Sequence, residues 1–312
     1  MLKLPLHLKQ SNRDSTFLFA QSCINTGQSV AGSISIKCNM KNLLRIICAI
    51  FLVATVQAEP LERTNRIHNG QVASAGQFPY AAAIIPVVPV TGRPVCGGSL
   101  VSPRFVLTAG RCVYGVTRAY VVLGAVHVFE DREASRLQLD VTEFIVHSGF
   151  EAEPEVFDVA LVRLPVNVPI GSAFIDVVRL PNRRQVEATF VGQQATVFGW
   201  GSTGPGSEFT NELRFIRAQV ISQLSCTVNL PTNTILGEHI CMDGANNSPC
   251  AGDYGGPLTI TDVDGQTTQI GVFSFTSVLG CTLGRPSVYT RMSSYLDWIG
   301  QNSDVVIRDD FN

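Results

Sequence analysis

The stretch CAGDYGGPL, residues 250–258, puts a tyrosine, Tyr254, at the centre of a run of small and turn-forming residues. Gly252-Asp253 before it and Gly255-Gly256-Pro257 after it describe a tight loop with exposed backbone, since glycine enters conformations closed to other residues and proline fixes the exit. Such a loop presents one short side chain outward. A phenol is bulky there and, without a neighbouring base, inert.

Working outward from the loop, short β-branched runs recur with turn signals between them: YAAAIIPVV at 80–88, AYVVLGAV at 119–126, LQLDVTEFIV at 137–146 and FDVALVRL at 157–164. Others occupy 189–198, 212–222, 257–263, 267–275 and 287–291, and Asp264-Gly265 between two of them signals a hairpin. Helical spacing is convincing in one segment, where Met292, Tyr295, Leu296 and Ile299 recur every three to four residues. The pattern is all-β, which means a sandwich or a barrel. No repeat of solenoid period occurs, and the polar stretch Pro181–Val186 is the expected join between two halves.

Charge and leader composition narrow the function classes. Six of the 23 basic and one of the 25 acidic residues lie in the first 58 positions, leaving 17 against 24, a net of -7, for residues 59–312. That is no footprint for nucleic acid or anionic lipid. This later part contains no lysine, for which we have no physical account. From Met40, basic Lys41 and Arg45, an apolar run Ile46–Val56 and a small residue, Ala58, before Glu59-Pro60 make up a cleaved secretory signal over 40–58. The run falls short of the roughly 20 residues a membrane helix needs, so no span is expected after signal removal. Residues 1–39 have no period and are read as a non-structural extension upstream of a start at Met40 rather than Met1.

Cysteine usage agrees with export. With Cys23, Cys38 and Cys48 in or before the signal, six of the nine cysteines remain, Cys96, Cys112, Cys226, Cys241, Cys250 and Cys281. Six suggest three disulfides, with 15 possible connectivities. No pair shows short metal-ligand spacing and no histidine cluster accompanies them, so neither metal nor cofactor is implied. Glu130, Asp131 and Glu133 could supply oxygens to calcium, but a solvated acidic loop is the plainer reading. Asn246-Asn247-Ser248 fits a glycosylation sequon, followed unfavourably by Pro249.

Taken in order, CGGSLVSPRFVLTAGRC (96–112), FDVALVRL (157–164), ATVFGWG (195–201), CAGDYGGPL, VFSFTSVLGC (272–281) and PSVYTRM (286–292) resemble the chymotrypsin/trypsin family of serine proteases over about residues 67–302. The resemblance implies two antiparallel six-stranded Greek-key barrels, about 67–180 and 181–290, with a cleft between them and a C-terminal helix at about 292–302. It also implies bridges Cys96/Cys112, Cys226/Cys241 and Cys250/Cys281. Residues 59–66 become an activation peptide, with cleavage after Arg66 freeing the Ile67 ammonium to pair with Asp253. His68 departs from the usual apolar neighbour there.

The family's chemistry needs a serine to attack, a histidine to carry its proton and an aspartate to orient the histidine. Asp158 matches the aspartate, but Arg111 stands at the histidine position and Tyr254 at the serine position. Arginine stays charged near neutral pH and cannot act as a general base, and a phenol beside a fixed cation attacks carbonyls poorly. His68, His127, His147 and His239 fall outside the catalytic positions and read as surface or packing residues. Gly252 keeps an N–H for an oxyanion hole. Arg111 is expected to satisfy Asp158 with a forked hydrogen bond. In the substrate pocket, Ser248 lies at the base and Thr276 and Ser287 replace wall glycines, beside Ser274 and Phe275, so the slot should be shallow or closed.

These residues imply a secreted, catalytically inactive serine protease homologue that binds extracellular proteins, such as proteases, zymogens or their substrates, as a cofactor or regulator of proteolysis. The alternative is an active chymotrypsin- or elastase-like endopeptidase with an unconventional centre.

Overall fold

A computed structural model describes residues 70–87, 95–153, 155–202, 204, 206–231 and 233–311, all within the compact unit Thr64–Asn312. The extension 1–39, the signal 40–58 and the activation residues Arg66 and Ile67 lie outside the described residues.

The first half begins with a short strand β1 (Gln71–Val72), followed by β2 (Ala81–Pro86), β3 (Cys96–Ser102), β4 (Phe105–Thr108), β5 (Ala119–Leu123), β6 (Leu137–Val141), β7 (Glu143–Val146) and β8 (Ala160–Arg163). The second contains β9 (Gln194–Gly199), β10 (Arg214–Ile221), β11 (His239–Met242), β12 (Pro257–Thr261), β13 (Thr267–Phe275) and β14 (Ser287–Arg291). Among the described residues α-helices are few: α1 (Gly110–Val113), α2 (Gln223–Asn229) and α3 (Leu296–Asn302).

The first sheet runs β6-β5-β2-β3-β4-β8-β7, all antiparallel. Its two ends, β6 and β7, are halves of one bent strand interrupted at Thr142: the first half pairs with β5 and the second with β8. The seven segments therefore form a six-stranded barrel closed through that strand. The second sheet closes directly, because β9 pairs with both β10 and β12, and β1 adds to the outer side of β10. The chain is all-β with two six-stranded barrels.

β12 and β13 match the runs at 257–263 and 267–275, joined by the Asp264-Gly265 turn with Gly265 at φ +79°. The C-terminal helix starts later than its spacing suggests. Met292–Ser294 form a 3-10 turn, and α3 begins at Leu296 with Leu296 and Ile299 buried.

Each barrel is filled by its alternating inward residues, and aromatic side chains weld the two together. The Phe78 ring stacks on Phe198 at 4.5 Å, Trp200 is buried with its Nε1 donating to the Val126 carbonyl at 2.8 Å, and Ser99 Oγ donates to Gln269 Oε1 at 2.6 Å. Burying each large apolar side chain contributes about 1.5–3 kcal/mol. Gly97 on β3 allows the closest approach, since a Cβ there would lie 2.7 Å from the Gly256 Cα. That contact brings the first barrel against the loop holding Tyr254. Disulfides join Cys96 to Cys112, Cys226 to Cys241 and Cys250 to Cys281.

Among the described residues, no helix is long and apolar enough to cross a membrane.

Candidate functional site

Residue 111 comes from α1, Asp158 from the segment just before β8, and Tyr254 from the loop before β12. The chain is held tightly at all three. Phe157, next to Asp158, sits at φ +50°, in the left-handed region rarely adopted by a bulky residue, with its ring stacked on His147 at 4.9 Å. Gly252 and Gly255 bracket Tyr254 at φ +94° and +81°, as the turn requires. Tyr254 is further pinned by its carbonyl, which accepts from Gly97 N at 2.8 Å.

Asp158 is buried and heavily bonded. One carboxylate oxygen accepts from Arg111 Nε at 2.6 Å and from Ser274 Oγ at 2.6 Å, the other from the Arg111 backbone N at 2.9 Å. Thr290 Oγ1 donates to the Asp158 carbonyl at 2.8 Å. The pair forms, but not as the fork expected from sequence: the backbone N–H takes the second oxygen, and Arg111 Nη2 turns towards Glu155 at 3.8 Å without a hydrogen bond. The guanidinium carbon lies 5.2 Å from the Tyr254 ring centroid, and the other face of the neighbourhood is closed by Phe273, stacked with Tyr254 at 5.4 Å. A guanidinium offers donors and no acceptor. Burial pushes the Tyr254 phenol up, and the nearby Arg111 charge offsets that in part.

The sequence reading grouped Ser274 with the pocket wall, and the structure places its hydroxyl on Asp158. Replacing Ser274 with alanine is expected to cost about 2 kcal/mol, the range for a hydrogen bond to a charged group. Thermal denaturation checks this, and an unchanged melting temperature would count against a structural use of that bond.

The remaining pocket residues fill space. Ser248 and Ser287 are fully buried, Phe275 nearly so, and Thr276 is half-buried. Ser287 Oγ lies 3.0 Å from the Tyr289 hydroxyl, whose titration burial pushes up, and Thr276 Oγ1 donates to the Pro286 carbonyl at 3.4 Å. A cleft of about 400 Å³ is lined by Arg111, Glu155, Phe209, Tyr254, Phe275 and Thr276 among others. Neither Ser248 nor Ser287 lines it.

Behind the Tyr254 loop, Asp253 is fully buried and accepts from Gly201 N at 2.8 Å and Cys250 N at 2.9 Å. Burial pushes its carboxyl up to about 7, against the pull of those two N–H groups. Gly199 makes room for it, since a Cβ there would lie 2.2 Å from Asp253 Oδ1. The side chain of Ile67, the residue implied to pair with Asp253, lies outside the described residues.

The acidic loop has internal partners. Glu133 accepts from Val126 N at 2.7 Å and His127 N at 3.1 Å, Glu130 accepts from Asn211 Nδ2 at 2.6 Å, and Asp131 lies 3.3 Å from Arg136. Among the described residues no group of three or more His, Cys, Asp or Glu is placed to hold a metal. His147 packs among Phe157, Tyr295 and Trp298, and His239 is buried against Phe275; burial lowers the titration of both. Sequence reasoning missed Glu155 and Phe209. Nothing local marks either one, since both reach the cleft through the packing of distant loops.

Two closed barrels, with three loops meeting over a buried aspartate, define a serine-protease-type scaffold. The chain matches the trypsin family over residues 67–299 and belongs to it. It is 34% identical over 245 residues to a collagenase of Hypoderma lineatum, covering 78% of this chain and 90% of that one. It is 31% identical to a chymotrypsin of Phaedon cochleariae, covering 81% and 87%, and 33% identical to a brachyurin of Leptuca pugilator, covering 75% and 96%. A solved collagenase structure superposes with a TM-score of 0.69 at 34% identity, covering 77% of this chain and all of that one.

Proposed function

We propose that this chain is a secreted, catalytically inert serine protease homologue that acts by binding proteins, as a cofactor or regulator of extracellular proteolysis. The observation that carries the reading is the Arg111 Nε–Asp158 Oδ2 contact of 2.6 Å. The orienting carboxylate is spent on a donor-only cation instead of an imidazole that could take and return a proton. Tyr254 adds to this, because burial pushes its phenol up, which favours the neutral form, and the Arg111 guanidinium beside it is a donor that cannot take the proton. Relatives named as collagenase and chymotrypsin supply the reaction that such a centre would have to run.

The three disulfides and the leader composition support secretion. Partners are extracellular proteins, among them proteases, zymogens or their substrates, met through surface loops rather than through a pocket filled by its own side chains.

The test is ester and peptide hydrolysis by the chain cleaved after Arg66, run beside an Arg111→His, Tyr254→Ser double variant. The unaltered chain is expected to stay at background. Residual catalysis from binding and an oxyanion hole is on the order of 10³–10⁴ over water, far below a working protease. Turnover at ordinary protease rates by contaminant-free unaltered protein overturns the reading.

A further inference from the structure

We propose that the loop between β13 and β14, residues 276–286, is a docking and cleavage segment for an outside chymotrypsin-like protease, with Leu279 entering that protease's apolar specificity slot and the Leu279–Gly280 bond being cut.

The loop displays three strongly exposed aliphatic side chains within six residues. Val278 is 72% exposed, Leu279 73% and Leu283 53%. The other strongly exposed apolar residues are poorer candidates: Leu224 and Val228 lie inside helix α2, Val263 sits in the tight turn between β12 and β13, Tyr114 is held on the end of α1 by its N–H bond to the Gly110 carbonyl and by its ring contact with Phe150, and Val306 carries a β-branched side chain. A protease cleft takes its substrate as an extended segment, so residues locked in helix or ladder are excluded from it. β13 ends at Phe275 and β14 starts at Ser287, so the intervening residues have no ladder partner. Around the bond in question the described contacts are local: Leu279 N donates to Ser277 Oγ at 3.2 Å and Gly280 N to the Ser277 carbonyl at 2.9 Å. Drawing Leu279 out forfeits those two bonds and disturbs no strand.

The loop is nevertheless anchored at its edges. On the entry side Thr276 follows the end of β13 and its Oγ1 donates to the Pro286 carbonyl at 3.4 Å; on the exit side Cys281, two residues beyond Leu279, is bonded to Cys250, and Arg285 Nη1 donates to the Asn229 carbonyl at 3.2 Å. An exposed aliphatic side chain on a segment held at both ends costs less ordering entropy on docking than a free tail would. The apolar slot that defines chymotrypsin-type specificity is the matching receptor.

The chemistry is complete with water as the second reactant. The protease's serine displaces the Gly280 amine from the Leu279 carbonyl, and water then releases Leu279 as a carboxylate. Gly280 leaves as an ammonium but stays attached through Cys281–Cys250, close to the acyl carbonyl. Resealing therefore competes with hydrolysis, which makes the chain a slow substrate and hence a competitive inhibitor.

The proposal requires only that the outside protease be active, so it stands independently of the reading of the central site. The full chain is incubated with pancreatic chymotrypsin, while hydrolysis of a small chromogenic peptide is followed and the masses of the chain are taken before and after reduction. Expected are competitive inhibition, one species heavier by a water before reduction, and two fragments after it, the smaller starting at Gly280. Leu279→Glu should slow cutting of this bond at least 100-fold, roughly the top of the range for mismatched apolar pockets, with an unchanged melting temperature. First cutting elsewhere, as after Phe209, overturns the proposal, and so does an intact chain under conditions that cut its reduced, unfolded form. Cutting of the same bond with no protease added also overturns it, and bears instead against the inert reading of the centre.

Discussion

Replacing Arg111 with alanine is expected to destabilise the chain by about 3 kcal/mol, the low end for removing one partner of a buried ion pair. For a domain of this size the melting temperature should fall by roughly 6–12 °C. Asp158 has no exposed side-chain surface, while Arg111 keeps 22% of its own. The substitution therefore leaves a buried carboxylate with the residue 111 backbone N–H and Ser274 as its donors. Those two bonds soften the loss without supplying charge. Lysine at 111 should recover part of the stability, since it restores the charge without the planar donor geometry. A cycle combining Arg111→Ala with Asp158→Asn should give a coupling above about 1 kcal/mol, as contacting partners do. A melting temperature unmoved by Arg111→Ala would show that the guanidinium is not what compensates Asp158.

The second large effect concerns Asp253. Its ordinary value of 3.8 and its folded value of about 7 define a pH window in which the folded chain holds a proton that the unfolded chain has lost. Stability is therefore fully present below about pH 4 and is lost as pH rises through about 7. The full span corresponds to roughly 4 kcal/mol. Asp253→Asn cannot ionise and should remove this slope from the uncleaved chain, which denaturant titration at pH 4.5 and 7.5 would show as a difference between the two proteins. Cleavage after Arg66 should act in the same direction by a different route: an ammonium at Ile67 reaching Asp253 would stabilise the carboxylate and raise the melting temperature at pH 7.5. Identical pH profiles for the native and Asp253→Asn chains would remove burial of this carboxyl as a determinant of stability.

Much of the architecture was legible because period-two runs and turn residues report directly on strands. The run at 137–146 shows the limit. Its residues alternate as one strand, and nothing in them reveals that Val141 and Glu143 face different neighbours across Thr142, because that break is imposed by barrel closure. α2 was also unreadable, since QLSCTVN buries only Cys226 and has no apolar stripe. At the centre, residue types alone gave the Arg111–Asp158 attraction, but the backbone donor that occupies the second oxygen depends on the placement of α1. Ser274 likewise belongs to a strand of the other barrel, and its use as a donor to Asp158 emerges only when the two barrels pack.

The closure of the first barrel through a strand folded at Thr142, and of the second through β9, has a consequence for how the protein meets other copies of itself. Among the described residues neither sheet presents a long unpaired rim on which another chain could template itself. A molecule built this way has little tendency to form fibres, because its backbone donors and acceptors are taken up around each closed ring and the segments carrying Arg111, Tyr254 and Leu279 lie outside the ladders.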